Sequence, residues 1–397
     1  MQAVIMAAGK STRMYPITLT QPKPLVHIAN KPILAHQLDQ LEGLVNEVIL
    51  VVGYKRKMLQ EAFGYSYRNI AIGYVEQEEQ LGTGHAAMQA GPYIRDRFLL
   101  MNGDDLYARQ DIEACLQYEY TITAQEVPDV RPFSEVVLQN GLVHDIVEKP
   151  QNPAGNLAGI GLFALDKKIF DMLDTIPKSP RGEYELPDAI IKLMQIVDMH
   201  CHVVDGYWIP VGYPWHVLNA NDFLLENYFG EASASSTIDA GVTVDGRLRL
   251  GEHSVIQPGA SIRGNVVIGR HCAIGPNCII TGNTAIGDHT VLGAGAIIEN
   301  SVIDRHSRID PYAIISHSVI GDHVTIGSGA VTMSDPIDTP TVTSAIKGQT
   351  VASDRRKFGV TIASQVTLQP HVTTFPGVKI GPGNTIAAAT IVKNDIE

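Results

Sequence analysis

The chain has 397 residues, of which 45% are hydrophobic and 18% charged, a composition typical of folded proteins with more than one domain. Its 30 basic and 42 acidic residues give a net charge of −12, which argues against nucleic acid or an anionic membrane as a partner. The sequence has no apolar run near the ~20 residues of a membrane span and no signal-peptide pattern, so we expect a cytoplasmic protein.

Residues 1–229 alternate apolar strand candidates with helical segments. The predicted strands are Val4–Met6, Glu47–Val52, Ile70–Val75, Phe98–Met101, Ala158–Ala164 and Cys201–Val204, and helical patterns cover Pro32–Leu41 and Gly84–Gln89. This alternation predicts a Rossmann-like α/β domain with a mixed, mostly parallel sheet. Ligands of such sheets bind at the carboxyl ends of the strands.

A six-residue period begins after a small-residue linker predicted at 230–236. Aliphatic residues recur at every sixth position from Ile238 to Ile298, and the period resumes at Ile362. This hexapeptide repeat predicts a parallel β-helix over residues 237–397, with a loop insertion at about 333–357. The repeat resembles that of left-handed hexapeptide β-helices, which implies the same handedness here.

Five histidines follow the register of this repeat. His253, His271 and His289 are 18 residues apart, and His306 and His323 follow at steps of 17. The aliphatic period shortens by one residue in the same two intervals. We therefore expect the five side chains to stack at one corner of the β-helix.

The first strand leads into a loop suited to phosphate. The sequence AAGKSTR at residues 7–13 includes Gly9, which leaves backbone N–H groups open to phosphate oxygens. Arg13 adds a planar, bidentate donor, and Lys23 is held between two rigid prolines. The loop does not have the Walker pattern, but its combination of donors predicts a triphosphate site.

The motif A-A-G-x-x-T-R, followed by P-x-T and P-K-P-L, resembles the signature of sugar-1-phosphate nucleotidylyltransferases, and the resemblance extends over residues 1–229. It implies that an NDP-sugar and pyrophosphate form from an NTP and a hexose- or amino-hexose-1-phosphate, by Mg²⁺-assisted in-line transfer. It also implies a nucleotide-binding loop at Ala8, Gly9, Lys10, Ser11 and Thr12, and catalytic cations at Arg13, Lys23 and Lys149.

Two further motifs match the nucleotide side of this family. The sequence EQEEQLGTGHA at residues 76–86 is similar to that of the N-acetylglucosamine-1-phosphate uridylyltransferases, which implies that Gln77 pairs with the base and that Gly82 and Thr83 lie against base and ribose. A glutamine amide matches uracil or thymine and also serves guanine, so UTP or dTTP is favoured and GTP stays open. In FLLMNGDDL, Asp104 matches the Mg²⁺ ligand of the family.

The sugar side is matched by E-K-P at residues 148–150 and by R-G-E-x-E-L at residues 181–186. The resemblance implies that Glu148 binds sugar hydroxyls, that Lys149 meets the sugar phosphate, and that the remaining residues shape the pocket. These remaining residues are Gly159, Arg181 and Glu185.

Two positions depart from the family pattern. Leu157 stands where the sugar pocket usually has Asn, and Pro210 stands where many relatives have an Asp as a second Mg²⁺ ligand. These departures leave open an alternative, a non-catalytic regulatory subunit that binds an NDP-sugar. The intact cations and Asp104 favour the enzyme.

The C-terminal half leaves a second alternative open. His317 lies in HSVIGD, which partly matches the H-L-x-Y-x-G-D context of the catalytic histidine in fused uridylyltransferase–acetyltransferases, although the Leu and Tyr are missing. On that interpretation His317 is the base of an amino-sugar acetyltransferase that uses acetyl-CoA. The favoured interpretation is a structural β-helix that assembles the chain as a homotrimer or a dimer of trimers.

Overall fold

The computed structural model describes residues 1–228 and 235–397. The chain divides into two compact units. The first comprises Met1–Lys10, Pro22–Leu25 and Ile33–Pro210, and the second comprises Ser11–Gln21, Val26–Pro32 and Val211–Glu397. The predicted linker at 230–236 falls largely outside the described residues, and the predicted boundaries at 229 and 237 stay predictions.

The secondary structure of residues 1–228 alternates strands and helices. The strands are β1 (Gln2–Met6), β2 (His27–Ile28), β3 (Lys31–Pro32), β4 (Glu47–Val52), β5 (Ser66–Tyr67), β6 (Ile70–Glu76), β7 (Phe98–Asn102), β8 (Asp105–Tyr107), β9 (Thr121–Glu126), β10 (Ser134–Gln139), β11 (Leu142–Glu148), β12 (Leu157–Leu165), β13 (His200–Val203) and β14 (Trp208–Pro210). The α-helices are α1 (Ile33–Leu41), α2 (Arg56–Phe63), α3 (Thr83–Ala90), α4 (Arg109–Cys115), α5 (Lys168–Leu173), α6 (Leu186–Leu193) and α7 (Pro214–Asn227).

The first unit is built on a ten-stranded sheet with the order β10-β11-β13-β9-β12-β7-β1-β4-β6-β5. Its central strands β7, β1, β4 and β6 are parallel, and β12 runs antiparallel to β7. Apolar clusters cover both faces, which is why β4 reads as a nearly continuous run of aliphatic residues. The predicted mixed, mostly parallel sheet is confirmed. The carboxyl ends of β1, β6 and β7 lie along the same edge.

The second unit contains a left-handed parallel β-helix, as predicted. Its strands are β15 (Thr237–Ile238), β16 (Thr243–Leu250), β17 (Val255–Ile256), β18 (Ser261–Ile268), β19 (Ala273–Ile274), β20 (Ile279–Ile286), β21 (Val291–Leu292), β22 (Ile297–Glu299), β23 (Val302–Ile303), β24 (Arg308–Ile309), β25 (Ile314–Ser316), β26 (Val319–Ile320), β27 (Thr325–Ile326), β28 (Val331–Thr332), β29 (Thr343–Ile346), β30 (Gln349–Ala352), β31 (Thr361–Ile362), β32 (Thr367–Leu368), β33 (Thr373–Thr374), β34 (Lys379–Ile380), β35 (Thr385–Ile386) and β36 (Ile391–Val392).

Successive coils pair in parallel at steps of 18 and then 17 residues, for example Ile262 with Ile280 and Val291 with Arg308. The aliphatic residues of the six-residue period form the interior from Leu250 onward. The first two positions of the period, Ile238 and Val244, are instead 50% and 45% exposed, because they lie in the end coil. The predicted insertion at 333–357 contains a hairpin of β29 and β30.

The five histidines stack along one corner, as predicted. Neighbouring ring centroids are 4.8–5.1 Å apart from His253 to His323. All five residues have left-handed backbone conformations, with φ between 54° and 60°. Each histidine therefore turns a corner of one coil, and the parallel register of the coils places the rings above one another.

One histidine of the stack, His306, gives a prediction about the stability of the chain in acid. Burial, together with the neighbouring His323 and His289, holds the pKa of His306 below its ordinary value of 6.5. The folded state therefore favours neutral His306. The resulting contribution to the free energy of unfolding is complete above pH ~6.5 and is lost as the pH falls through the lowered pKa. We expect the thermal midpoint of the wild type to fall relative to that of His306→Asn between pH 7 and pH 5. Asparagine tolerates the left-handed backbone, and a pH-independent difference between the two midpoints would contradict this expectation.

Candidate active site

The edge of the sheet in the first unit brings three strand ends together. After β1, the chain continues into the loop that contains Gly9 and Lys10, both exposed. After β7, the N–H of Gly103 donates to the carbonyl of Met6 at 3.0 Å. A Cβ on Gly103 would lie 2.7 Å from that carbonyl oxygen, so glycine is needed for this close approach. The turn that carries Asp104 thus packs against the end of β1.

Lys23 and Asp104 form an ion pair at this edge. The Nζ of Lys23 lies 2.7 Å from Oδ2 of Asp104, and the side chains are 3% and 42% exposed. The turn below them is fixed by Gln37, whose buried Nε2 donates to the carbonyls of Asn102 and Asp105, both at 2.7 Å. The hydrogen bonds of Gln37 therefore fix the turn that carries the half-exposed carboxylate, beside the nearly buried ammonium of Lys23.

The neighbouring carboxylate, Asp105, points into the protein. It is buried, and its Oδ2 accepts a hydrogen bond from Nε1 of Trp208 at 3.1 Å. Burial and the adjacent Asp104 raise its pKa to about 7. Pro210 lies directly opposite Asp105 in the pairing of β8 with β14. Pro210, at the position matched in sequence to a second Mg²⁺ ligand, thus lies opposite Asp105 and offers no side-chain oxygen.

A metal at this edge would need ligands from its substrate as well as Asp104. Within residues 1–228 and 235–397, no group of three or more His, Cys, Asp or Glu side chains could hold a metal ion. Mg²⁺ commonly takes one or two carboxylates and completes its shell with phosphate oxygens and water. The half-exposed carboxylate of Asp104 fits that requirement.

The segment after β6 carries the residues matched to the base. Gln77 is 4% exposed, and its Nε2 lies 3.2 Å from the carbonyl oxygen of Gly82 and 3.0 Å from Nδ1 of His85. Nε2 of Gln80 donates to the carbonyl of Ala8 at 2.8 Å, which joins this segment to the loop after β1.

Residues 81–84 are hydrogen-bonded to residues 184–186. The N–H of Tyr184 donates to the carbonyl of Leu81 at 2.7 Å, and Oγ1 of Thr83 accepts from the N–H of Leu186 at 3.2 Å. Gly82 has φ +103°, and a Cβ there would lie 2.6 Å from the Tyr184 carbonyl oxygen, so only glycine fits. The segments with the base motif and the sugar motif therefore form one structure.

The four charged residues matched to the sugar form an ionic cluster. Nη2 of Arg181 lies 3.1 Å from Oε1 of Glu148 and 2.8 Å from Oε1 of Glu185, and Nζ of Lys149 lies 3.4 Å from Glu148. Ser134 donates to the other oxygen of Glu148. Gly159 is close by, because it pairs with Ser134 between β12 and β10, and Ser134 pairs with Glu148.

Ser11, Thr12 and Arg13 belong to the second unit. Ser11 has a left-handed backbone (φ 50°), and its carbonyl accepts from Oγ1 of Thr18 at 3.0 Å. The guanidinium carbon of Arg13 lies 5.1 Å from the ring centroid of Tyr213, which stacks on Trp215 at 4.6 Å. A cation held over an aromatic stack keeps its donors directed.

His317 lies at a corner of the β-helix, in a polar cluster within the second unit. The residue is 9% exposed, and its Nδ1 has no hydrogen-bond partner among the described residues. Its Nε2 is 3.5 Å from Nδ2 of Asn300 and 4.0 Å from Oε1 of Glu299. Burial lowers the pKa of His317 to about 4, so the imidazole is neutral at physiological pH.

Sequence reasoning missed several residues that support these groups. Gln37 is a polar residue on the buried face of α1, and a polar residue in an apolar stripe is a signal for a buried hydrogen bond. Gln80 and His85 lie inside a recognised motif but had no assigned role. The contact of Arg13 with Tyr213 joins residues 200 positions apart, and no local pattern indicates it.

The raised pKa of Asp105 gives a pH test of this geometry. A carboxyl whose folded pKa lies above its ordinary value of 3.8 contributes stability that is complete below that value and is lost as the pH rises through the folded pKa. Asp105→Asn removes the ionisation and keeps an oxygen for Trp208. We expect the difference in unfolding free energy, Asp105→Asn minus wild type, to increase by up to about 1.4 kcal/mol per pH unit between pH 4 and pH 7. Above pH 7 this difference should stay constant. Denaturant unfolding at each pH measures it; a difference that does not change with pH would show that Asp105 ionises normally.

Comparisons with known proteins agree with the motifs. The nucleotidyl transferase family model matches residues 2–227, and the model of the GMPPB C-terminal domain matches residues 262–355. The bifunctional protein GlmU of Methanococcus maripaludis is 40% identical over 100% of this chain and 96% of its own length. The bifunctional sugar-1-phosphate nucleotidylyltransferase/acetyltransferase of Sulfurisphaera tokodaii is 32% identical over 100% of this chain and 98% of its own.

A solved structure of UDP-glucose pyrophosphorylase complexed with UDP-glucose has the same fold as the N-terminal part. It superposes with a TM-score of 0.51 at 24% identity, and covers 55% of this chain and 96% of its own. None of the described helices is long and apolar enough to cross a membrane. The full-length matches decide the family: the chain belongs to the nucleotidyl transferase family, and its full-length relatives are proteins named GlmU and sugar-1-phosphate nucleotidylyltransferase/acetyltransferase.

Proposed function

We propose that the chain is a sugar-1-phosphate nucleotidylyltransferase, which joins an NTP to a hexose- or amino-hexose-1-phosphate and releases pyrophosphate. The observation that carries this proposal is the Lys23–Asp104 pair, at the edge where β1, β6 and β7 end. In the same unit, Gln77 is available for a base and the cluster around Glu148 for sugar hydroxyls. The names of the full-length relatives support the same activity.

The reaction asks the protein for charge and alignment rather than for a strong base. The attacking oxygen of a sugar-1-phosphate is already anionic, and it must approach an α-phosphorus that is itself surrounded by negative oxygens. Lys23 and Lys149 would neutralise the two phosphates, and Arg13 would stabilise the departing pyrophosphate. The backbone of the loop from Ala8 to Thr12 would hold the triphosphate.

Mg²⁺ is the metal that this site would use, with Asp104 as its protein ligand. When bound, the ion would supply Lewis-acid stabilisation of charge on the phosphates. Because Lys23 now occupies one oxygen of Asp104, we expect Lys23 to move from the carboxylate to a phosphate when the substrates bind. Pro210 leaves the site with one carboxylate, so metal affinity should depend strongly on the nucleotide.

Pyrophosphate release with a panel of four NTPs and several sugar-1-phosphates tests the proposal. We expect Lys23→Ala and Arg13→Ala to lower turnover by roughly 10²–10³-fold, because each removes a preorganised donor worth ~2.7–4 kcal/mol to the transition state. Lys57→Ala, which removes an exposed lysine of α2, is the matched control and should leave turnover unchanged.

Near-normal turnover in both variants would refute these two assignments. A wild type that binds NDP-sugars but never releases pyrophosphate would favour the alternative, a regulatory subunit. Circular dichroism on each variant separates a lost donor from a lost fold.

A second activity, amino-sugar acetyl transfer, is favoured by the environment of His317. The imidazole of His317 is buried and neutral, and its Nδ1 has no hydrogen-bond partner within residues 1–228 and 235–397; such a nitrogen can accept a proton from an attacking amine. The relatives named as acetyltransferases share the full length of this chain. On this proposal acetyl-CoA is the second substrate of the chain.

Thiol release from acetyl-CoA in the presence of an amino-sugar-1-phosphate tests the second activity. We expect His317→Asn to abolish thiol release, by at least about 10²-fold for a lost general base, and to leave pyrophosphate release unchanged. His323→Asn is the matched control, because it makes the same substitution at an exposed corner with the same left-handed backbone. Equal thiol release in the wild type and His317→Asn would leave the β-helix with a structural role.

The homotrimer or dimer of trimers and the cytoplasmic location stay predictions. Light scattering on the full chain measures the first. A monomer would remove the proposed role of the β-helix in assembly.

A further inference from the structure

The guanidinium of Arg13 is exposed, and it has no hydrogen-bond or ion-pair partner within residues 1–228 and 235–397. It lies over the ring of Tyr213, with 5.1 Å from its carbon to the ring centroid. A Cβ on Gly212 would be 3.6 Å from Nη2 of Arg13, so the group also lies close to the backbone there. All five N–H donors are therefore open to an anion, while an aromatic face holds the cation.

The ring of Tyr213 is itself held by two neighbours. It stacks on Trp215, with 4.6 Å between the centroids and 5° between the planes. The ring of His216 stands nearly perpendicular to it at 5.2 Å. The carbonyl of Tyr213 also accepts a hydrogen bond from the N–H of His216 at 3.0 Å, which fixes the backbone where α7 begins. The surface under Arg13 is therefore set by the start of α7.

Trp215 extends these contacts to the β-helix. Its ring meets that of Phe358 edge to face at 6.0 Å, and both side chains are fully buried. Nε1 of Trp215 has no hydrogen-bond partner among the described residues, so the indole contributes its surface and not its donor. Phe358 follows the insertion, and its N–H donates to the carbonyl of Ser334 at 3.0 Å. Tyr213, Trp215 and Phe358 thus form an aromatic row within the second unit.

We propose that the aromatic row positions the guanidinium of Arg13 for nucleotidyl transfer. This inference rests on the proposed function, from which it takes the role of Arg13 toward the departing pyrophosphate. A donor that is already in place stabilises the transition state without having to reorganise, so a small displacement of the guanidinium lowers turnover. The three aromatic residues act through Arg13 and are positioning residues. Phe358, a residue of the β-helix half, thereby contributes to the chemistry of the nucleotide.

A double-mutant cycle separates positioning from folding. Tyr213→Leu removes the aromatic face under Arg13, whereas Tyr213→Phe keeps it. We expect kcat for pyrophosphate release to fall roughly tenfold in Tyr213→Leu and to stay within about twofold of the wild type in Tyr213→Phe. Because the ring acts through the guanidinium, Tyr213→Leu should cause no further loss when Arg13→Ala is already present. Tyr65→Leu makes the same substitution at an exposed ring, and this control should leave kcat unchanged.

Two further measurements extend the cycle. Phe358→Leu should lower kcat in the wild type but not in Arg13→Ala, and circular dichroism at the assay temperature checks that the variant is folded. Calorimetric binding of Mg²⁺-pyrophosphate to the full chain needs no turnover. We expect its Kd to rise roughly tenfold in Tyr213→Leu and to be kept in Tyr213→Phe.

The possible results distinguish the inference from the proposed function. Wild-type turnover in Tyr213→Leu, or a loss that multiplies with that of Arg13→Ala, would overturn the inference and leave the proposed function standing. Equal losses from Phe358→Leu in both backgrounds would exclude Phe358 from the positioning role. A wild type that binds pyrophosphate through Arg13 and Tyr213 but never releases it from an NTP would overturn the proposed function and leave the inference standing. A protein that neither binds nor releases pyrophosphate would overturn both.

Discussion

The contact between Nζ of Lys23 and Oδ2 of Asp104 is the interaction on which the rest of the first unit's site depends. An ammonium that is 3% exposed is costly without a counter-charge, so removing Asp104 alone would leave a buried charge without its partner. The fold supplies the rigid surroundings. Gly103 packs its turn on the end of β1, and Gln37 holds the same turn from below. The ammonium of Lys23 is therefore held at the edge of the sheet where the proposed function places a phosphate.

The departures from the family pattern have a physical meaning in this setting. Pro210 faces Asp105, whose carboxyl is buried, hydrogen-bonded to Trp208, and held with a raised pKa. A site with two metal-binding carboxylates would have one more negative charge near Asp104 than this protein has. Leu157 begins β12, two residues before Gly159, and packs against the apolar core, so it offers no polar group at that position.

Much of the fold could be predicted because each half has a strict period. Aliphatic residues at every sixth position all point inward only if the chain forms a parallel coil. The spacing of 17 residues before His306 and before His323 also predicted how successive coils align. The apolar strands of the first unit were equally visible, since both faces of β4 are covered. The family resemblance assigned Glu148, Lys149, Arg181 and Glu185 to the sugar, but it did not predict the ion pairs that join them.

What the sequence did not show depends on long-range contacts. Segments 11–21 and 26–32 belong to the second unit, where Oγ1 of Thr20 lies 3.0 Å from Oγ of Ser364 and Nδ1 of His27 lies 3.2 Å from Oδ1 of Asp304. No local pattern marks either contact. The side-chain amide of Gln77 is a similar case. The motif identifies the residue, but it does not show that Nε2 contacts the Gly82 carbonyl and the His85 ring.

A crystal structure of the full chain with Mg²⁺ and a non-hydrolysable UTP analogue tests the central claim most directly. We expect the triphosphate at the edge where β1 and β7 end, with Nζ of Lys23 within about 3 Å of a phosphate oxygen. Asp104 should then bind the metal ion instead of Lys23. A nucleotide bound elsewhere, with the Lys23–Asp104 contact intact, would contradict the claim.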